Sequence, residues 1–325
     1  MNSNPFFSII IPCYNCMGVM QRGLASLERQ PFTDFEVIFV DDCSTDATYA
    51  FLQDFCRRTN LDARLACTEK NSGPGKAREV GISISTGKYI AFMDSDDWYD
   101  DRFLQEIYRS LQTDNYDVLF FDFYRNYKSG KKRHIKCTAH LGGISSMNEY
   151  VAMAFDSLCA LIVKSDVVKK IKMPFLYNSE DAAVVPLLVA LSRKVTYVPT
   201  PFYNYLYREQ SLSTSQDKRV YRGFIDAFEF IHENIPVEFQ QEKEYRGIHL
   251  VLYGAVFKAI DAGVAKREIK DIVCAFEKTV PLWHTNKYMK FLPLRKRLFL
   301  QMVKRRCFFF LSLYVAMQRF LLRLK

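Results

Sequence analysis

Lys88-Tyr89-Ile90-Ala91-Phe92-Met93-Asp94-Ser95-Asp96-Asp97-Trp98 decides how the first half of the chain is read. Lys88 to Met93 is an almost unbroken apolar run, the mark of a strand buried on both faces, and it stops at three carboxylates in four positions. Residues two apart in extended chain point the same way, so Asp94 and Asp96 face one spot. Two carboxylates alone there would repel, and one pKa would rise. A hard divalent cation, Mg²⁺ or Mn²⁺, relieves this, since it takes few protein carboxylates and completes its shell with substrate phosphate oxygens. Asp97 reads as the cap of the segment that follows.

The residues on either side repeat the pattern. Phe7 to Ile11, Phe35 to Val40 and Ala63 to Cys67 read as strands, with helical spacing over Val19 to Gln30, Asp46 to Arg58 and Gly75 to Ser85. Asp101 to Leu111 is a further helix. This alternation predicts a mostly parallel sheet covered on both faces, with the ligand crevice beyond the carboxyl ends of its strands. From Asp117 the pattern loosens. Asp117 to Tyr124, Cys159 to Lys164 and Val195 to Val198 read as strands, Lys128 to Lys131 as a hairpin turn and Asp181 to Leu191 as a helix. After Ser215 strand signals stop, so the expected division is an α/β domain over 1–215 and a helical extension over 216–325.

Polar clusters sit where the crevice should be. Cys13-Tyr14-Asn15 follows the first strand, Asp41 to Asp46 the second, Asn71-Ser72-Gly73 the third and Asp94 to Asp97 the fourth. Each alone reads equally well as a helix cap, because Asp, Ser and Asn are common there. Four in succession point to a site.

Phe7-to-Asn15 (FSIIIPCYN), Val40-to-Asp46 (VDDCSTD), Asn71-to-Gly81 (NSGPGKAREVG) and Ile90-to-Trp98 (IAFMDSDDW) resemble, in order and spacing, the motifs of family 2 glycosyltransferases, inverting enzymes of GT-A fold. The resemblance covers roughly residues 5–215. It implies a nucleotide-sugar site, with UDP as the expected nucleotide. Tyr14 would lie against the base beside Pro12 and Asn15, and Asp42, matching better than Asp41, would accept from the base imide. Arg78 would approach the diphosphate, Asp94 with Ser95 would face the ribose, and Asp96, with Asp94, would hold the metal. These roles are chemically sensible, because an aromatic face supports a pyrimidine and a fixed cation offsets diphosphate charge. The family's Glu-Asp pair falls on Glu180-Asp181, which implies Asp181 as the base that deprotonates the acceptor hydroxyl. Ser179 ahead of it also reads as an ordinary N-cap, with acids in the first turn suiting the helix dipole. Tyr203 to Arg208 and Ser211-Leu212-Ser213 resemble the closing segment, with Arg208 a diphosphate contact or, equally well, a surface arginine. Where many members have a histidine this chain has Glu209-Gln210, which argues against a metal ligand from that segment.

Other constellations carry less. Cys13-x-x-Cys16 has redox or zinc spacing but no second pair follows. Gly73-Pro74-Gly75-Lys76 hints at a phosphate loop, but Lys70 and Ala77 break the Walker pattern. The five histidines never cluster. A sugar nucleotidyltransferase would need a glycine-rich loop where Pro12-Cys13-Tyr14-Asn15 stands. An inactive nucleotide-sugar-binding protein would not need Asp94, Asp96 and Asp181 together.

Composition bounds the rest. In 325 residues, 49% hydrophobic and 25% charged exclude disorder and collagen-like repeats. Nine scattered cysteines behind a short polar start, Met1 to Pro5, suggest free thiols in a reducing compartment. The net charge is +9, but twelve of the 45 basic residues lie between Lys278 and Lys325, where there is no acid. Residues 1–277 therefore hold 33 basic against 36 acidic side chains, about −3, which argues against nucleic acid. Within 291–325 basic residues alternate with Phe, Leu and Met, and the longest nonionic stretch, Cys307 to Gln318, is too short to span a bilayer. Arg297, Gln301, Arg305, Ser312, Arg319 and Arg323 trace a polar stripe. A basic amphipathic helix of this kind reads as a membrane-surface anchor, with a helix packed on protein or a homo-oligomer seam as the alternative. The expectation is a cytoplasmic enzyme, peripheral at the inner face of the plasma membrane. Its acceptor would be a surface polysaccharide or its lipid-linked precursor.

Overall fold

The computed structural model describes residues 4–137, 146–208 and 217–323. It divides into two compact units: Met1–Ala139, Phe155–Phe175 and Leu191–Arg208 form the first, and His140–Ala154, Leu176–Ala190 and Glu209–Lys325 the second.

The first unit opens with β1 (Phe7–Cys13), α1 (Gln21–Glu28), β2 (Phe35–Asp41), α2 (Thr48–Arg58), β3 (Asp62–Cys67), α3 (Pro74–Ile84) and β4 (Tyr89–Phe92). It continues through β5 (Trp98–Tyr99), α4 (Phe103–Gln112), β6 (Val118–Asn126) and β7 (Lys132–Ile135). Then α5 (Met147–Met153) enters the second unit, β8 (Leu161–Lys164) and α6 (Ser165–Val168) return to the first, and α7 (Glu180–Ala190) leaves again before β9 (Val195–Leu206).

Among the described residues nine strands form one sheet in the order β3-β2-β1-β4-β8-β6-β9-β5, with β7 beside β6. The pairs of β1 with β2, β1 with β4, β2 with β3 and β6 with β9 are parallel, while β8, β5 and β7 run antiparallel to their neighbours. The expected mostly parallel α/β sheet is therefore present. Every residue of β1, β2 and β4 is buried, as their apolar runs require, whereas β3 alternates in exposure because it is the edge. The excess of aromatics fills this core: Tyr99 stacks on Phe103 at 4.1 Å, and Phe121 and Phe202 close around them.

One strand is far longer than its sequence suggests. β9 runs through Leu206 rather than stopping near Val198, because Pro199 and Pro201 fall at a register irregularity against Phe121, Asp122 and Phe123. Proline ends a regular strand but is tolerated at a bulge.

The second unit continues with α8 (Arg219–Asn234), α9 (Gln240–Gly247), a π-helical stretch (Ile248–Ala255), α10 (Val256–Asp261), α11 (Lys266–Thr279), α12 (Leu294–Lys304) and α13 (Phe308–Arg323). It is larger than the extension expected from 216 onward, since α5 and α7 belong to it. The reason is burial: Ala182 to Val189 of α7 are buried on every face, and α5 and α8 supply the cover.

The tail is two helices rather than one stripe. Arg306, at φ +56°, ends the first and pairs with Glu277 at 2.5 Å. Phe299, Leu300, Val303, Leu311 and Val315 pack inward, while Leu294, Leu298, Phe309, Phe310, Leu313 and Phe320 remain exposed. No helix among the described residues is long and apolar enough to cross a membrane.

Candidate active site

The parallel strands end side by side, and the polar clusters read from sequence meet along that edge. Cys13 is register partner to Asp41, and the Met93 amide donates to the Ile10 carbonyl at 3.1 Å. Pro12 is buried in β1, and Tyr14, just past it, is 46% exposed, leaving an aromatic face for a ligand. Asn15 is held left-handed at φ +47° by its own side chain. Its Oδ1 accepts from the Thr45 amide at 2.8 Å, its Nδ2 donates to the Thr45 hydroxyl at 3.1 Å, and its amide donates to Ser44 Oγ at 3.0 Å. In this structure Asn15 therefore fixes the turn that presents Tyr14.

Asp42 is buried and does comparable work on the loop after β3. It accepts from the Thr68 hydroxyl at 2.7 Å, the Ser72 amide at 3.0 Å and the Gly73 amide at 2.6 Å. Gly73, at φ +85°, makes the turn into α3 that few other residues adopt, and Pro74 starts the helix behind it. That helix carries Arg78, only 4% exposed, whose guanidinium donates to Asp94 Oδ1 at 2.8 Å. The third and fourth motifs are thereby joined by one charge-assisted hydrogen bond.

The four residues from Asp94 are each held differently. The Asp94 amide donates to the Tyr203 hydroxyl at 3.0 Å, and that hydroxyl donates to Asp97 Oδ2 at 2.6 Å. The Leu206 amide donates to Asp97 Oδ1 at 2.7 Å. Asp97 is thus not the cap of the next segment. It is wholly buried and ties the carboxylate loop to β9, and α4 begins at Phe103 with Arg102 at its N-cap and no side-chain cap bond. Burial, then the charges of Asp94 and Asp96, push its carboxyl well above the usual range. Asp96, with a side chain 11% exposed, pairs with Arg208. Burial lifts its carboxyl, Arg208 pulls it back and Asp94 adds to the rise. Ser95 bonds the Cys16 thiol; the bond from Cys13 comes first among the causes that draw that thiol below its ordinary value. Gly23 of α1 faces this loop so closely that a Cβ would meet the Asp97 carbonyl at 2.7 Å. All nine cysteines are free.

Among the described residues no three His, Cys, Asp or Glu side chains gather as a complete metal cage. The hard oxygen donors of Asp94 and Asp96 fit an ion that keeps water and phosphate in its shell, and not a closed zinc site.

Asp181 lies in the second unit, in the first turn of α7 beside Glu180. Ser179 departs from an ordinary N-cap: its backbone is left-handed at φ +68°, and its hydroxyl accepts from Asn178 Nδ2 at 2.7 Å. A non-glycine residue held there is strained, a condition common where side chains must be aimed. Ser211 to Ser213, the end of the closing segment, lie outside the described residues. Sequence reasoning missed Tyr203 as the clasp of the carboxylate loop. The alternation Tyr203, Tyr205, Tyr207 was its signal, masked by the two prolines before it.

The sheet gathers arginines and carboxylates at the carboxyl edge of its strands, and likeness to known proteins identifies it as a glycosyltransferase domain of GT-A type. The family model for Glycosyl transferase family 2 matches residues 8–167. The domain carried by those residues belongs to that family. Glycosyltransferase GlyA of Streptococcus pneumoniae is 24% identical over 233 residues, 68% of this chain and 33% of GlyA, so the match spans only a third of that relative. The processive diacylglycerol beta-glycosyltransferase of Mycoplasma genitalium is 25% identical over 245 residues, 70% of this chain and 71% of its own length. The crystal structure of Staphylococcus aureus TarS 1-349 in complex with UDP-GlcNAc shares the fold, with a TM-score of 0.67 at 20% identity over 96% of this chain and 91% of that one.

Proposed function

We propose that this chain is an inverting, metal-dependent glycosyltransferase that moves a sugar from UDP to a hydroxyl of a surface polysaccharide or its lipid-linked precursor. The observation that carries the reading is the Arg78–Asp94 pair, which joins the third and fourth motifs at one charged point, two residues from Asp96. A UDP-GlcNAc complex in a protein of the same fold, and a relative named for a lipid acceptor, support the choice of donor and acceptor.

On this reading Tyr14 supports the base, and Asp42 accepts from its imide with the lone pairs left by the loop. Arg78 lies toward the diphosphate while it orients Asp94 at the ribose. Asp96, with Asp94, would hold Mg²⁺ or Mn²⁺, which when bound neutralises diphosphate charge and eases departure of the nucleotide. Asp181 takes the proton of the acceptor hydroxyl as that oxygen attacks the anomeric carbon from the face opposite the leaving group. One base and in-line attack give inversion. The exposed apolar and basic side chains of α12 and α13 would rest on an anionic membrane surface near the acceptor.

A panel of nucleotide sugars tests the whole, read by release of nucleoside diphosphate with and without Mn²⁺ and by the anomer formed. Metal-dependent release from a UDP-sugar with an inverted product is the expected result. A retained anomer would overturn the single-base mechanism. UDP affinity that stays metal-dependent in Asp96→Ala would remove Asp96 from the site.

A further inference from the structure

The carboxylate loop is electrostatically balanced by two arginines that are held in opposite ways. Arg78 is carried on α3, only 4% exposed, with its guanidinium on Asp94 Oδ1 at 2.8 Å. Arg208 has a side chain 48% exposed, stands two residues beyond the end of β9, and places its guanidinium on Asp96 Oδ2. Asp96 is the carboxylate proposed above to hold a divalent cation.

We infer that Arg208 is the resident counter-cation of Asp96, that a divalent metal displaces it, and that the arginine so released moves to the diphosphate of the incoming donor. The inference rests on Asp96 being a metal ligand, as proposed above. Two positive charges compete for one oxygen at close range, so the metal and the guanidinium cannot share it without mutual repulsion. The rest of the site tells where Arg208 goes. Asp97 anchors the end of β9 to the loop through Tyr203 and the Leu206 amide, and neither bond involves Arg208. The strand end therefore stays put while the side chain swings. A half-exposed guanidinium tethered there, beside a metal that carries a diphosphate, finds its natural partner in the phosphate oxygens, which accept a planar fork of donors. Arg208 thus opposes metal binding when no donor is present and favours it when one is.

The consequence is a reversal of sign that loss of structure cannot imitate. Titrating Mn²⁺ alone into the full chain, followed by calorimetry or by the spin resonance of free Mn²⁺, should show Arg208→Gln binding the ion about 3–10-fold more tightly than wild type, the size of a partly exposed ion pair. With Mn²⁺ saturating, the same variant should bind UDP more weakly than wild type. Arg208→Lys keeps the charge and should leave the affinity for Mn²⁺ alone near the wild-type value. A variant that had misfolded would lose both affinities instead of gaining one. If Arg208→Gln binds Mn²⁺ alone no more tightly, while wild-type UDP binding still requires Mn²⁺, the hand-over is wrong and the metal site stands. If UDP binding ignores Mn²⁺ in wild type and in Asp96→Ala alike, the metal reading fails and the hand-over falls with it.

Discussion

The two units handle charge differently. In the first, acids and arginines converge at the carboxyl edge of the sheet, with Arg78, Asp96 and Asp97 withdrawn from water, and each acid has a specific partner: Asp94 with Arg78, Asp96 with Arg208, Asp97 with Tyr203. In the tail of the second, Arg295, Arg297, Lys304 and Arg305 are exposed among exposed Leu and Phe, in a segment without an acid. Withdrawn charge acts through geometry, so one atom out of place is costly. Exposed charge acts through its sum, and salt screens it. The first kind can recognise a small ligand, and the second can only recognise a surface.

If donor recognition belongs to the first unit and proton removal to the second, variants should separate the two. Asp181→Asn keeps the side chain's shape but cannot accept a proton, so turnover should fall by about 10²–10⁴-fold while UDP affinity stays at the wild-type value. Steady-state kinetics beside calorimetry would show it. Full activity in this variant would pass the role to Glu180 or another group. Arg78→Gln should do the reverse and weaken UDP binding by about 10–100-fold, the worth of a charged hydrogen bond. It should also lower stability, since Asp94 would lose its guanidinium. Unchanged UDP affinity would leave Arg78 a purely structural residue.

How much of this could be read from the chain differs from place to place. The strands β1, β2 and β4 were legible because strands buried on both faces cannot hide among polar residues. Asp94 and Asp96 stood out as residue types at a strand end and Arg78 only through the resemblance of its motif; the structure places Arg78 on α3 and joins it to Asp94. The clasp was not. Asp97 read as a cap because an Asp before a helix usually is one, and its true partner, Tyr203, lies more than a hundred residues away on a strand that two prolines seemed to end. Local pattern cannot see a bulge whose stability comes from the neighbouring strand. Likewise α7 read correctly as a helix, yet nothing local said which unit would cover it. The tail read as one stripe, although Arg306 breaks it into two helices whose apolar residues divide between inside and outside.

The tail offers the next contrast. Each Lys or Arg near an anionic surface contributes about 1 kcal/mol, and the exposed apolar residues add burial at the headgroups. Replacing Arg295, Arg297 and Lys304 together by Gln should reduce co-sedimentation with anionic vesicles by about 10–100-fold at low salt. UDP affinity should not change. High salt should loosen the wild-type chain without releasing it, because apolar contact is not screened. A wild-type chain that ignores anionic and neutral vesicles alike would leave the tail a packing element only, as the inward faces of Phe299 and Leu311 already partly make it.

The smallest expected effect tests whether the contrast is between units or only between inside and outside. The second unit also buries charge: Glu242 accepts from the Tyr288 hydroxyl at 2.6 Å and pairs with Lys287 at 2.9 Å. Burial pushes the Glu242 carboxyl up, but the bonds from Tyr288 and Lys287 outweigh it, and the net direction is down. A carboxyl whose folded value lies below its unfolded one binds fewer protons folded than unfolded as pH falls past the ordinary range, so its contribution is present at neutral pH and lost in acid. Glu242→Gln cannot ionise. It should be less stable than wild type by about 1–2 kcal/mol at pH 7, and the two should converge as the pH drops below the usual carboxylate range. Denaturant midpoints measured at several pH values would trace the convergence. A gap that persists unchanged into acid would mean that Glu242 contributes by shape rather than by charge. Its ionic pair would then be surface-like after all, and the contrast between the two units would be complete.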